Sequence, residues 1–266
     1  EELQTAIAQA MRTEYRMIVD SGFLLQLDDA RSAVTFDRMV PPASFADYRR
    51  WLATQVDILN HAIEGLPADR IRYHVCWGSW PGPHTSDVPL KDIVDLILKV
   101  KVGAYVIEGA NPRHEHEWQV WKDARLGSGQ MLIPGVISHA TNVVEHPELV
   151  AQRIVRLARL IGRDNVVAGT DCGFAQGPFY RRVHPSVMWA KLEALSEGAR
   201  LASKEFWSSL RPSTMCNICS AAIERISSIT WMRPALPAIC PCWFMRRARR
   251  KRPLTSVTAW RNSSVR

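Results

Sequence analysis

The chain has 266 residues and 47% hydrophobic content, ordinary for a globular protein and enough for one large α/β domain or two smaller ones. Its net charge of +8 points to nucleic acid only until it is divided. Eleven of the 34 basic residues and one acid, Glu224, fall in 208–266, so the first 207 residues carry −2 and the basic character belongs to the tail.

The opening "EELQTAIAQAMRTEYR" is a charged amphipathic pattern, which predicts a helix over 1–20 and does not look like a signal peptide. A chain that begins on Glu1 inside a helical pattern is expected to be a fragment or a processed product. "FLLQLDD" (23–29) reads as a strand ending in acids. Ser44 and Asp47 form a capping-box pattern, and Phe45, Tyr48, Trp51, Leu52, Val56, Leu59 and Ile63 follow helical spacing.

"IRYHVC" (71–76) is the next strand. Alternation sends His74 and Cys76 to the same side. Imidazole plus thiolate is a soft pair suited to zinc, although for these two residues taken alone a buried cysteine beside a satisfied core histidine is the plainer reading. A helix near 89–101 leads to the strand "AYVIE" (104–108), and a helix near 114–124 leads to "MLIPGV" (131–136). Pro147 opens a helix carrying Leu149, Ile154, Leu157 and Ile161. "NVVAGTDCG" (165–173) is a strand and turn, and a last helix carries Met188, Leu192, Leu195, Ala199, Ala202 and Phe206.

Alternating helices and compact apolar strands predict a parallel sheet wrapped by helices. Chemically capable residues stand at the C-terminal strand ends: Asp28, His74, Cys76, Glu108 and Cys172. That edge carries chemistry in a (β/α) barrel and binds ligands in a doubly wound sheet, so the placement fits both. No glycine-rich phosphate loop follows a strand, which argues against a nucleotide fold.

After Trp207 neither period persists. The tail holds Cys216 and Cys219, the Cys240–Pro–Cys242 pair and the run "RRARRKR" (246–252). A second zinc site there is disfavoured by the C-x-C spacing, and contacts with nucleic acid are expected to be non-specific. The composition resembles a shifted reading frame, so 208–266 is expected to be an irregular basic tail, disordered or artefactual. The six cysteines form no regular disulfide framework, and a reducing, cytoplasmic setting is expected. No apolar run is long enough to span a bilayer.

In a curved sheet His74, Cys76, Glu108 and Cys172 could converge. Two thiolates, an imidazole and a carboxylate make a tetrahedral Zn2+ set with a net charge of −1. Such a centre is a poor activator of water and a good holder of a substrate thiolate. The carboxylate, the weakest ligand, is the natural one to yield when sulfur arrives.

"LQLDDA", "HVCWG", "VIE", "IPGV…VEHPELVAQRI" and "GTDCGF" resemble the C-terminal catalytic barrel of cobalamin-independent methionine synthase and its stand-alone relatives, which include the epoxyalkane:coenzyme M transferases. The resemblance covers residues 1–207. It implies about the last five β/α units of a (β/α)8 TIM barrel, zinc held by His74, Cys76, Glu108 and Cys172, and Asp28 binding the amino group of homocysteine. The function it implies is that of a 5-methyltetrahydropteroyltriglutamate–homocysteine S-methyltransferase in methionine biosynthesis, with a small thiol and a methyl donor as partners.

Three departures bear on this. The segment "WGSWPGPHTSDVPLKD" is longer than in methionine synthase proper and favours the stand-alone branch. "GVISHAT" stands where that family has G-V-x-D-x-H-S, so the proton-donor candidate His139 falls one position early, with Ala140 in the histidine's place. Only five of eight strands are expected, which implies self-association through unpaired strands and leaves the donor unread. The alternatives are coenzyme-M-type thiol alkylation and a catalytically inactive zinc-binding fragment.

Overall fold

A computed structural model describes residues 2–78, 84–174 and 182–207. Five parallel strands follow one another in the order of the chain: β1 (Leu25–Asp29), β2 (Ile71–Val75), β3 (Ala104–Ile107), β4 (Met131–Ile137) and β5 (Gly169–Thr170). The order never reverses, so the switch point of a doubly wound sheet is absent from it. Winding in one direction is the topology of a barrel, and the sheet curls into a half-barrel. The two sheet readings left open by the sequence are thereby reduced to one.

The pleat divides the residues. Leu25, Leu27, Ile71, Tyr73, Val75, Tyr105, Ile107 and Leu132 share one buried cluster with Tyr48, Leu52 and Val56 of the helical layer. On the other face the register lines up Asp28, His74, Val106 and Ile133 in a row across four strands. Strand-end chemistry therefore projects from the face opposite the helix-packed core.

Six α-helices accompany the sheet among the described residues: α1 (Glu2–Asp20), α2 (Val34–Met39), α3 (Phe45–Ala62), α4 (Val94–Ile97), α5 (Pro147–Ile161) and α6 (Pro185–Trp207). The Ser44–Asp47 capping box starts α3 as expected. Helix α5 begins on Pro147 and buries Val150, Ile154 and Leu157. It packs on α6 at Gly198, where an added Cβ would lie 2.4 Å from Val150 Cγ1 and 2.9 Å from Pro147 O.

Three elements differ from expectation. The helix near 89–101 is a 3-10 turn, Leu90–Asp92, followed by the single turn α4, after which the chain leaves through tight turns, with Lys99 N donating to Leu96 O and Val100 N to Ile97 O. The helix near 114–124 is a 3-10 helix, Glu115–Lys122, whose three-residue repeat aligns Trp118 with the buried Trp121. The strand over 165–173 shrinks to β5 and a bridge between Leu132 and Val166, with a register shift between Gly135 and Ile137.

Among the described residues no helix is long and apolar enough to cross a membrane. The tail cysteines and the basic run 246–252 lie outside the described residues.

Candidate metal centre

Strand β2 ends on His74 and Val75, and its pairing runs one residue further, with Cys76 N donating to Asp29 O at 3.1 Å. Cys172 follows β5 on the far side of the sheet. Curvature brings the ends together: one ligand atom from each of His74, Cys76 and Cys172 lies within 4.8 Å of the others. The two sulfurs are 4.0 Å apart. Tetrahedral zinc with bonds of about 2.3 Å to sulfur requires a separation of roughly 3.8 Å, so the pair fits such an ion. His74 is buried and neither ring nitrogen has a hydrogen-bond partner, a state that costs about 1–3 kcal/mol when nothing compensates it.

The electrostatics agree with the donor set. The Cys76 thiol beside it, and then His74, draw the Cys172 pKa down, whereas Cys172 and burial push Cys76 up, so the sulfurs share a proton that a metal would displace. Burial opposes the charged form of His74, but Cys172 and Asp28 outweigh it and raise its pKa.

Glu108 stands beside this trio and is not within the same mutual distance. It is buried, with Oε1 accepting from Trp77 N at 3.0 Å and Oε2 left without a partner. Burial, reinforced by the charge of Asp171, pushes its pKa up to about 7. The structure thus brings together three of the four expected ligands and holds the fourth by one oxygen at their edge.

Asp28 is largely exposed, with Oδ1 3.6 Å from His74 Nε2, too long for a hydrogen bond. His139 is 1% exposed, and neither ring nitrogen has a partner. Burial lowers its pKa, and the fields of Cys172 and His74 both reach it. The next position, Ala140, lies on the same turn, its N donating to Ser138 Oγ at 3.2 Å.

Sequence reasoning missed the residues that hold these groups. Asp171 is wholly buried, and its Oδ1 accepts from Gly109 N and Ala110 N, both at 2.8 Å. His114 lies between two carboxylates, Nδ1 2.8 Å from Glu117 and Nε2 3.1 Å from Asp87, with its ring against Trp77. Asp87 also reaches His84 Nδ1 at 3.0 Å, and Trp77 Nε1 donates to Val88 O at 2.8 Å. These bonds tie the long segment after Cys76 to the 3-10 helix. The one sequence signal was the i, i+3 spacing of His114 and Glu117 in "HEHE".

No family model matches the chain. It is 23% identical to the 2-hydroxypropyl-CoM lyase of Xanthobacter autotrophicus, with 75% of this chain aligned to 54% of that protein. It is 25% identical to the uncharacterized protein YxjH of Bacillus subtilis, over 72% of this chain and 52% of that one. Among solved structures it resembles a B12-independent methionine synthase from Shewanella sp. W3-18-1, determined in complex with selenomethionine. The TM-score is 0.59 at 22% identity, covering 77% of this chain and 55% of the other. The chain therefore spans about half the length of the relatives it matches, and the structural likeness is one of fold.

Proposed function

We propose that this chain carries the zinc-binding, thiol-alkylating centre of a methionine-synthase-like transferase. The observation that carries the reading is the convergence of His74, Cys76 and Cys172 within 4.8 Å, with both His74 nitrogens buried and unpartnered. These three residues would hold the ion, and Glu108, through its free Oε2, would be the fourth and most easily displaced ligand. Bound zinc would keep an acceptor thiol as a nucleophilic thiolate at neutral pH.

The remaining roles fall to side chains. Asp28, exposed on the row shared with His74, would hold an ammonium group and so orient the sulfur of a homocysteine-like thiol. Alkylation forms a sulfur–carbon bond and breaks the donor's bond to that carbon, and the leaving atom needs a proton. His139, buried and kept neutral by its lowered pKa, would take up the proton that the thiol loses on binding as thiolate and pass it to the leaving atom.

A second reading is supported by the relative named 2-hydroxypropyl-CoM lyase: a coenzyme-M-type thiol alkylation. Asp28 argues against it, because a carboxylate repels a sulfonate. Elemental analysis should find one zinc per chain, and zinc-edge spectroscopy should gain a sulfur ligand when homocysteine is added. A protein with no zinc, or with zinc whose spectrum ignores every thiol, would refute the proposal. Turnover with homocysteine and coenzyme M in competition separates the two readings.

A further inference from the structure

The ends of β3, β4 and β5 meet at a junction that the chemistry above leaves unexplained. Asp171 Oδ1 accepts from both Gly109 and Ala110, the two residues after Glu108. The backbones are in close approach at the same point. A Cβ on Gly135 would lie 2.6 Å from Asp171 Cα, and one on Gly109 would lie 2.9 Å from Gly135 O. Only glycine leaves room for three strand ends to come this near. The Asp171 amide completes the junction by donating to Ile137 O at 3.1 Å.

We propose that Asp171 is a positioning residue, clamping the chain that leaves Glu108 onto the residue that precedes Cys172. The proposal rests on the metal reading for its consequence, but the clamp exists without the ion. Glu108 and Cys172 are 64 positions apart on separate strands, and one buried carboxylate oxygen bridges the residues next to them. The requirement is an acceptor at Oδ1, not a charge, because Oδ2 is buried and has no partner. Asparagine meets that requirement and alanine does not. Outer-shell groups of this kind typically change metal affinity by about 10–100-fold when removed.

The test uses the full chain, cobalt(II) as the metal probe against a competing chelator, and amide hydrogen exchange on the metal-free protein. Asp171→Asn should bind cobalt within about twofold of the parent, keep the thiolate-to-cobalt absorption, and keep the Gly109 and Ala110 amides protected. Asp171→Ala should bind about 10–100-fold more weakly, with those two amides exchanging at least about tenfold faster. Gly135→Ala keeps every ligand and the carboxylate but wedges the junction, and should also lose affinity. It carries the test if Asp171→Ala fails to fold. Parental affinity in Asp171→Ala or Gly135→Ala, or equal losses in the Asn and Ala variants, would overturn the proposal. If the parent itself binds no cobalt, the metal reading fails and the exchange rates alone decide the clamp: equal rates in all variants refute it.

Discussion

The sulfurs of Cys76 and Cys172 lie 4.0 Å apart although 96 positions separate the two residues in the chain. Local structure alone does not produce such a meeting. It requires β2 and β5, at opposite sides of β3 and β4, to be brought round by the curl of the sheet. The pair thus depends on the curvature of the whole half-barrel.

The first prediction follows from that dependence. Cys76→Ser and Cys172→Ser should each abolish stoichiometric zinc, because hydroxyl is a far poorer zinc ligand than thiolate. Cys216→Ser and Cys240→Ser should leave zinc content unchanged. Elemental analysis of the four purified variants decides between these cysteines, and metal loss confined to the tail variants would place the site elsewhere.

The strand-end placement of His74, Cys76, Glu108 and Cys172 was legible in the sequence because a parallel strand buried against helices is a compact apolar run with its chemistry at the C-terminal end. The singly wound order was not legible, since alternating helices and strands serve barrels and doubly wound sheets alike. Nor was the support around the site. Asp171 acts through backbone amides of Gly109 and Ala110, and amides carry no sequence signature. Glu108 was grouped with the other three by strand position, but it lies outside their mutual distance, with Oε1 accepting from Trp77 N, a bond that no periodicity encodes. The 3-10 helix at 115–122 was misread because its three-residue repeat resembles an α-helical pattern over so short a stretch.

Asp28 supplies a second prediction. It lies beside His74 but is not hydrogen-bonded to it, so its replacement should spare the metal and affect the ligand. Asp28→Asn should weaken homocysteine by about 5–30-fold, the loss of roughly 1–2 kcal/mol for an exposed charge-assisted contact. An alkyl thiol of similar size without the amine should lose less than about twofold. Thiol titrations followed at the metal provide both numbers, and equal losses would remove the amine-anchoring role.

The contact between α5 and α6 gives a prediction whose sign is set by magnitudes. Replacing a glycine within a helix by alanine ordinarily stabilises it by about 1 kcal/mol. At Gly198 the new methyl would meet Val150 Cγ1 at 2.4 Å and Pro147 O at 2.9 Å, and overpacking costs about 1–3 kcal/mol. Rotation of the valine can move Cγ1, but its Cβ, 2.5 Å away, and the carbonyl at the start of α5 cannot move without the helix. Gly198→Ala should therefore lower stability by about 0–2 kcal/mol in chemical denaturation. A gain of 1 kcal/mol would show that α6 can slide on α5 more freely than this packing implies.

The last prediction concerns His114. Both ring nitrogens face carboxylates, Glu117 at 2.8 Å and Asp87 at 3.1 Å, so both must donate and the ring must be an imidazolium. Burial opposes this charge, but the bonds to Asp87 and Glu117 outweigh it and raise the pKa to about 9, with the charge of Glu108 contributing. The same ion pairs, together with His84, hold Asp87 below the usual carboxylate range against the effect of burial. A histidine with a raised folded pKa contributes stability that is complete below its unfolded value, about 6.5, and is lost as pH rises through the folded value. Stability should accordingly decline between about pH 6.5 and 9, and His114→Gln should flatten that decline while costing about 3–5 kcal/mol at neutral pH. Denaturant melts of the metal-free protein and the variant across this range provide the comparison. An unchanged slope in the variant would show that His114 titrates alike in the folded and unfolded chain, and the ion-pair assignment would fall with it.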